Sequence, residues 1–138
     1  MIDEYGADAV RWYMISNSNP WDNLKFDQDG VAEVKRKFFG TLHNVYSFFS
    51  LYANIDNFAY KEDLIAFEKR SELDQWILSE LNSLIKRVDN YYNEYELTPA
   101  SREISDFVQE KLSNWYVRLS RRRSVSYTHL TLPTIYSV

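Results

Sequence analysis

Cysteine is absent from this sequence, and glycine, proline and histidine are scarce, with three, three and two residues respectively. Without cysteine, the chain can form neither a disulfide framework nor a thiolate metal site. The glycines are isolated from one another, so no glycine-rich loop is available to bind phosphates. No D-x-D-x-D-G loop or Glu-x-x-His motif occurs, and His43 and His129 lie far apart in the chain. The sequence therefore contains no recognisable motif for a nucleotide, a metal or a catalytic triad.

Long apolar runs and a basic N-terminal leader are also absent. No apolar run approaches the ~20 residues that a helix needs to cross a bilayer. The first ten residues, MIDEYGADAV, begin acidic, whereas a signal peptide begins basic. We therefore expect a soluble, intracellular chain that resides in the cytoplasm and has no membrane partner.

Apolar side chains and an uneven charge distribution are the main features that are present. Hydrophobic residues make up 45% of the 138 residues and aromatic residues 17%, which is typical of a chain that folds around a core. The net charge is -4, yet residues 114–138 contain four arginines and no acidic residue. This local positive charge attracts polyanions, although the acidic remainder of the chain confines such binding to one patch.

Three long segments carry apolar residues at alternating spacings of three and four, which indicates amphipathic helices. The first runs from Val31 to Tyr52. The second begins at Ser71, and Asp74 follows it in a pattern close to a capping box. The third begins with Thr98 as the predicted N-cap residue. A shorter helix around residues 9–14 precedes them, so the pattern predicts an all-α, up-and-down helical bundle.

The third helix ends in the stretch NWYVRLSRRR, which holds all four of these arginines. Its apolar stripe is predicted to face inward and consists of Ile104, Val108, Leu112, Trp115 and Leu119. Asn114, Arg118 and Arg121 are spaced to lie on the opposite, polar side. Tyr116 is the better candidate for an exposed aromatic residue. Arg122 falls near the stripe, so either the helix ends before it or this end packs against an acidic or polar partner that is missing from this sequence.

Two interpretations of the arginine cluster remain open at this level. Arginine binds phosphate through two parallel hydrogen bonds, and a neighbouring aromatic residue can stack on an unpaired base for about 1–3 kcal/mol. Clustered arginines also pair with carboxylates where domains pack together. Elsewhere, we expect the paired carboxylates, such as Asp3 with Glu4, to be solvated surface groups, and His43 to lie on the surface.

Four blocks of the sequence resemble one enzyme family. YGADAVRWYMI, residues 5–15, resembles a segment that class I aminoacyl-tRNA synthetases of the isoleucine, leucine and valine group carry after their KMSKS loop. NPWDNLKFD with KRKFFGTLHNVYSFFSLYAN, LDQWILSELNSLI, and ISDFVQEKLSNWYVRLSRRR resemble successive parts of the isoleucine enzymes of that group. The resemblance covers residues 1–123 in the family's order.

This resemblance implies an incomplete anticodon-binding helical bundle of a class Ia synthetase, at residues 21–123, preceded by the tail of the catalytic region at residues 1–20. The parent enzyme uses ATP and magnesium to esterify isoleucine to its tRNA. Because the HIGH and KMSKS motifs do not occur here, we expect a fragment that is inactive alone, holds no cofactor or catalytic residue, and exposes an apolar face where further helices are missing. Its implied partners are the isoleucine acceptor tRNA and the rest of the synthetase.

The predicted tRNA-binding residues are Asn114, Tyr116, Arg118, Arg121, Arg122 and Arg123. Arg122 and Arg123 have an alternative role in domain packing. Residues 124–138, SVSYTHLTLPTIYSV, have no charged residue and depart from the family pattern, so we expect an extended or disordered tail. The alternative function is a helical protein-interaction module that uses the exposed arginine and aromatic edge.

Overall fold

The computed structural model describes residues 2–23, 25–59, 61 and 63–126, and the regular structure in these residues is helical throughout. The elements are α1 (Ile2–Tyr5), α2 (Ala7–Asn17), α3 (Gln28–Val34), a first π-helical segment (Lys35–Phe39), α4 (Gly40–Ile55), a short 3-10 helix (Phe67–Lys69), α5 (Glu72–Asn93), α6 (Leu97–Asp106), a second π-helical segment (Phe107–Val117) and α7 (Arg118–Ser126). The predicted all-α fold is confirmed.

Two of the long helices are interrupted by π-helical turns without a break in the chain. α3, the first π-helical segment and α4 follow one another directly, as do α6, the second π-helical segment and α7. α4 continues to Ile55, three residues beyond Tyr52, where the predicted apolar segment ends. α7 continues to Ser126 and so includes the first three residues of the predicted tail, and residues 127–138 lie outside the described part of the chain.

The start of α5 follows the capping pattern that the sequence predicts. Ser71 occupies the N-cap position, and its Oγ accepts a hydrogen bond from the backbone N–H of Asp74 at 3.3 Å. This bond satisfies one of the amide groups that a helix leaves unpaired at its N-terminus.

The predicted start of α6 was wrong by two residues. The helix begins at Leu97, and Thr98 is not its N-cap residue. Instead, the Thr98 hydroxyl is buried and donates to the carbonyl oxygens of Ile15 at 2.8 Å and Ser18 at 3.0 Å. These carbonyls lie at the C-terminal end of α2, where a helix leaves acceptors without partners. Thr98 therefore connects α6 to α2 rather than capping its own helix.

The turn between α5 and α6 reverses the chain within three residues. Tyr95 has a positive φ of 60°. The N–H of Glu96 donates to the carbonyl of Tyr91 at 2.8 Å, and the N–H of Tyr95 donates to that of Tyr92 at 3.1 Å. These two bonds form a Schellman motif, which ends α5 and lets α6 pack back along it.

The core lies where α5, the second π-helical segment and the first π-helical segment meet. Its buried members are Phe38, Ile77, Leu84, Phe107 and Val108. Trp12 of α2 stacks on Phe38, with ring centroids 4.5 Å apart and planes 10° from parallel. A second cluster of Ala9, Tyr13 and Val31 holds α2 against α3. α2 thus packs directly on the bundle.

The apolar face of α4 is only partly covered. Leu42, predicted to face inward, is 40% exposed, and Tyr46, Leu51 and Ile55 on the same helix are more exposed still. α4 contributes no buried residue, in agreement with the expected exposed apolar face. Among the described residues, no helix is both long enough and apolar enough to span a membrane.

Candidate functional site

A buried carboxylate joins the start of α5 to the C-terminal helix, which comprises the second π-helical segment and α7. Asp74 is 2% exposed. Its Oδ1 accepts hydrogen bonds from Arg123 Nη2 at 2.6 Å and Tyr116 Oη at 2.9 Å. Its Oδ2 accepts from Arg123 Nη1 at 2.9 Å and Ser71 Oγ at 2.6 Å. We call these four residues the Asp74 cluster.

The electrostatics of the Asp74 cluster favour a charged pair. Burial alone raises the pKa of Asp74, but hydrogen bonds from Arg123, Ser71 and Tyr116 outweigh it and hold that pKa below its ordinary value. Burial opposes the charge of Arg123, and the bonds to Asp74 outweigh that effect and raise the pKa of Arg123. Burial and the nearby Asp74 charge raise the pKa of the Tyr116 phenol, so Tyr116 stays a hydrogen-bond donor. The carboxylate is thus ionised and fully bonded.

Two predicted site residues therefore point inward. Tyr116 was expected to be exposed, but it is half-buried against the core and bonded to Asp74. Arg123 was proposed as a tRNA contact, but its guanidinium is engaged by Asp74. Conversely, Trp115 and Leu119, predicted to face the core, are 59% and 53% exposed. The predicted inward-facing stripe was therefore wrong by one residue in this half of the helix.

The second π-helical segment explains this one-residue error. The inward positions are Val108, Leu112, Tyr116 and Ser120, spaced four apart, whereas the sequence pattern placed the last two at 115 and 119. A π-helix forms i→i+5 hydrogen bonds and uses more residues per turn than an α-helix. A stripe counted with the α-helical period consequently drifts by one residue across the segment.

The exposed polar side of the helix keeps the other predicted residues together. Asn114, Arg118 and Arg121 are exposed, and we call them the arginine edge. Asn114 Nδ2 donates to Glu110 Oε2 at 3.1 Å, and the Arg121 guanidinium lies 6.0 Å from the centre of the Phe48 ring on α4. The side chain of Arg122 lies outside the described residues.

Two other cations on these helices are neutralised within the chain. Arg87 Nε lies 2.5 Å from Glu103 Oε2, and Lys111 pairs with Glu80 across α5 and the second π-helical segment. Arg118 and Arg121, in contrast, form no ion pair with the described part of the chain. The arginine edge therefore presents its two positive charges to solvent.

Sequence reasoning missed Asp74 and Trp115. It recognised Asp74 only as part of a helix cap, and it expected the acidic or polar partner of the C-terminal helix to lie outside this sequence, whereas Asp74 of the same chain binds Arg123. It also placed Trp115 in the core. The candidate site holds no metal ligands: within the described ranges, no three His, Cys, Asp or Glu side chains cluster so as to bind an ion.

Comparison with known proteins identifies the family. The anticodon-binding domain of tRNA ligases matches residues 74–138, a range that holds both Asp74 and the arginine edge. It also takes in residues 124–138, which were expected to depart from the family.

Three curated relatives match nearly the whole chain, and all three are named isoleucine–tRNA ligase. The protein of Bacteroides fragilis is 66% identical over 122 residues, which is 88% of this chain and 11% of the relative. The proteins of Porphyromonas gingivalis and Cytophaga hutchinsonii are 67% and 62% identical over the same share of the chain. The chain spans about 11% of the length of these relatives. The chain belongs to the isoleucine–tRNA ligase family, and from Asp74 onward it matches the anticodon-binding domain of tRNA ligases.

Proposed function

We propose that this chain binds the anticodon stem and loop of the isoleucine acceptor tRNA as part of an isoleucine–tRNA ligase. In full length, that enzyme would esterify isoleucine to its tRNA with ATP and magnesium in the cytoplasm. The sequence given contains neither the HIGH nor the KMSKS motif, so the 138-residue chain alone should form no isoleucyl-adenylate. The remainder of the synthetase is its second proposed partner.

The arginine edge carries the proposal. Arg118 and Arg121 are the cations of the C-terminal helix that stay exposed and without an ion pair among the described residues, while Lys111 and Arg123 are neutralised. Arginine suits phosphate because its planar guanidinium forms two parallel hydrogen bonds. Trp115, three positions before Arg118, is 59% exposed, and its ring can stack on an unpaired base of the loop, where RNA sequence is readable.

Salt-dependent binding of the isoleucine acceptor transcript tests the proposal. We expect log affinity to fall linearly with log salt, by about 0.7 for each neutralised single-strand phosphate. The double variant Arg118→Ala/Arg121→Ala should bind more weakly and lower that slope by about 1.4. Arg11→Ala is the matched control, since Arg11 is an exposed arginine of α2 that pairs with Asp8. Equal affinity and slope for the double variant and the wild type would remove these residues from the interface.

A protein-interaction module is the second candidate function. The observation that favours it is the exposure of Trp115 and Leu119, which places two apolar side chains one turn apart on the outer face. Apolar contacts are far less sensitive to salt than phosphate contacts. If the immobilised chain retains the remainder of the synthetase at high salt and does not retain tRNA at low salt, the interaction module is favoured over the tRNA site.

A further inference from the structure

We propose that Asp74 and Arg123 are positioning residues for RNA binding: their buried ion pair fixes the rotation of the C-terminal helix so that Arg118 and Arg121 face the RNA. This inference rests on the proposed tRNA-binding function. The observation behind it is that Arg123 is turned into the protein by two bonds to Asp74, at 2.6 and 2.9 Å, while Arg118 and Arg121 on the same helix stay exposed.

The Asp74 cluster holds the helix at two points that bracket Arg118 and Arg121. Tyr116 lies two positions before Arg118, and Arg123 lies two positions after Arg121. Both anchors bind the same carboxylate, through the Tyr116 hydroxyl and the Arg123 guanidinium. A helix fixed to one group at positions 116 and 123 cannot rotate about its axis without breaking one of these bonds. Arg118 and Arg121 lie between the anchors, so their direction is set by the cluster.

The carboxylate itself is held in place from α5. Asp74 lies in the first turn of that helix, and its backbone N–H and side chain both bond to Ser71. A buried ion pair adds little net stability compared with apolar packing, but a bidentate arginine–carboxylate pair imposes a specific geometry. The cluster is therefore suited to orienting the helix rather than only attaching it.

Asp74→Asn separates positioning from charge because the two effects have opposite signs. If the net charge alone governed affinity, removing a negative charge beneath the arginine edge would strengthen RNA binding. Positioning predicts the reverse. We expect the variant to bind the isoleucine acceptor transcript about tenfold more weakly at low salt, the loss of roughly one charge-assisted contact. The salt slope should also fall, by up to about 1.4 if both arginines lose their phosphates.

Glu80→Gln is the matched control. Glu80 is also a carboxylate of α5, and it pairs with Lys111 of the helix that carries the arginine edge. It lies outside the Asp74 cluster, so its neutralisation should leave RNA affinity unchanged or slightly increased. A tenfold loss in this control as well would overturn the specific role of Asp74, because any weakened contact between the two helices would then have the same effect.

Asp74→Glu provides a second variant if Asp74→Asn does not fold, as judged by circular dichroism. It keeps the net charge and the opposite charges but moves the carboxylate by one methylene within a buried site. Positioning predicts weaker binding by this folded variant at every salt concentration. Unchanged affinity would overturn the inference.

The wild-type chain separates the two hypotheses. If it does not bind the transcript, the proposed function fails and the positioning role fails with it. If it binds and folded Asp74→Asn binds as tightly or more tightly, the positioning role alone is overturned and the proposed function stands.

Discussion

Replacing Asp74 by asparagine is expected to destabilise the folded chain by about 3 kcal/mol. Removing one partner of a buried ion pair typically costs about 3–5 kcal/mol because the other charge stays buried without compensation. The Asp74 side chain is 3% exposed, whereas that of Arg123 is 20% exposed. Arg123 can therefore recover part of its hydration by moving toward solvent, which places the cost at the lower end of that range.

A second ion pair between the same helices gives the scale for comparison. The side chains of Lys111 and Glu80 are 31% and 29% exposed, so water already solvates both groups in the fold. Partly exposed pairs contribute about 0–1 kcal/mol. Glu80→Gln should therefore change the free energy of unfolding by no more than about 1 kcal/mol, and the two variants should differ clearly.

Urea unfolding followed by circular dichroism, at two pH values, measures both effects. The pKa of Asp74 is lower in the fold than its ordinary value of 3.8, so its contribution to stability is complete above that ordinary value and is lost as the pH falls through the lowered, folded-state pKa. The difference between wild type and Asp74→Asn should be full at about pH 7 and should shrink toward about pH 2. A difference below about 1 kcal/mol at neutral pH, or one that does not change on acidification, would falsify the assignment of Asp74 as a buried, ionised partner.

Two further substitutions test contacts that hold α2 on the bundle. Gly30→Ala should destabilise the fold by about 1 kcal/mol or more in urea unfolding, because the new Cβ would lie 2.5 Å from Cε2 of the buried Tyr13 ring. Gly40→Ala is the control: its Cβ would meet only a carbonyl oxygen at 3.5 Å, so this variant should be neutral or stabilising. Equal effects of the two substitutions would contradict the steric explanation. Thr98→Val should cost about 1–3 kcal/mol because it removes the donor to two carbonyls at the end of α2, and a melting temperature within error of the wild type would show that these carbonyls find other donors.

The helices could be predicted because the information that specifies them is local. An apolar stripe of period 3.6 identifies a helix whatever lies around it, and Ser71 with Asp74 marks a helix start within four residues. The turn-rich stretch after residue 15 likewise ends α2 at Asn17. These features depend on neighbours in the sequence, and no distant contact was needed to identify them.

The direction of each side chain at the candidate site depended on distant contacts instead. Thr98 looked like a cap residue because its type fits that position, but the carbonyls that it satisfies belong to residues about 80 positions earlier. The inward turn of Arg123 depends on Asp74, 49 positions away. The π-helical turns that shift Trp115 outward leave no simple mark in the amino-acid pattern. A single sequence therefore placed the arginine edge on the correct helix. It reversed the exposure of two neighbouring residues, Trp115 and Tyr116.

The structure gives different surroundings to three of the four arginines between Asn114 and Arg123. Arg123 is neutralised by Asp74, so it adds no net charge to the surface, whereas Arg118 and Arg121 remain exposed. On a chain with a net charge of -4, these two arginines form a short positive edge on a protein whose net charge repels polyanions. A polyanion that lies flat across the protein meets more of this net negative charge than an anion that contacts only the edge. A strongly curved RNA loop fits this requirement better than an extended duplex, and competition by duplex DNA of equal charge should therefore be weak.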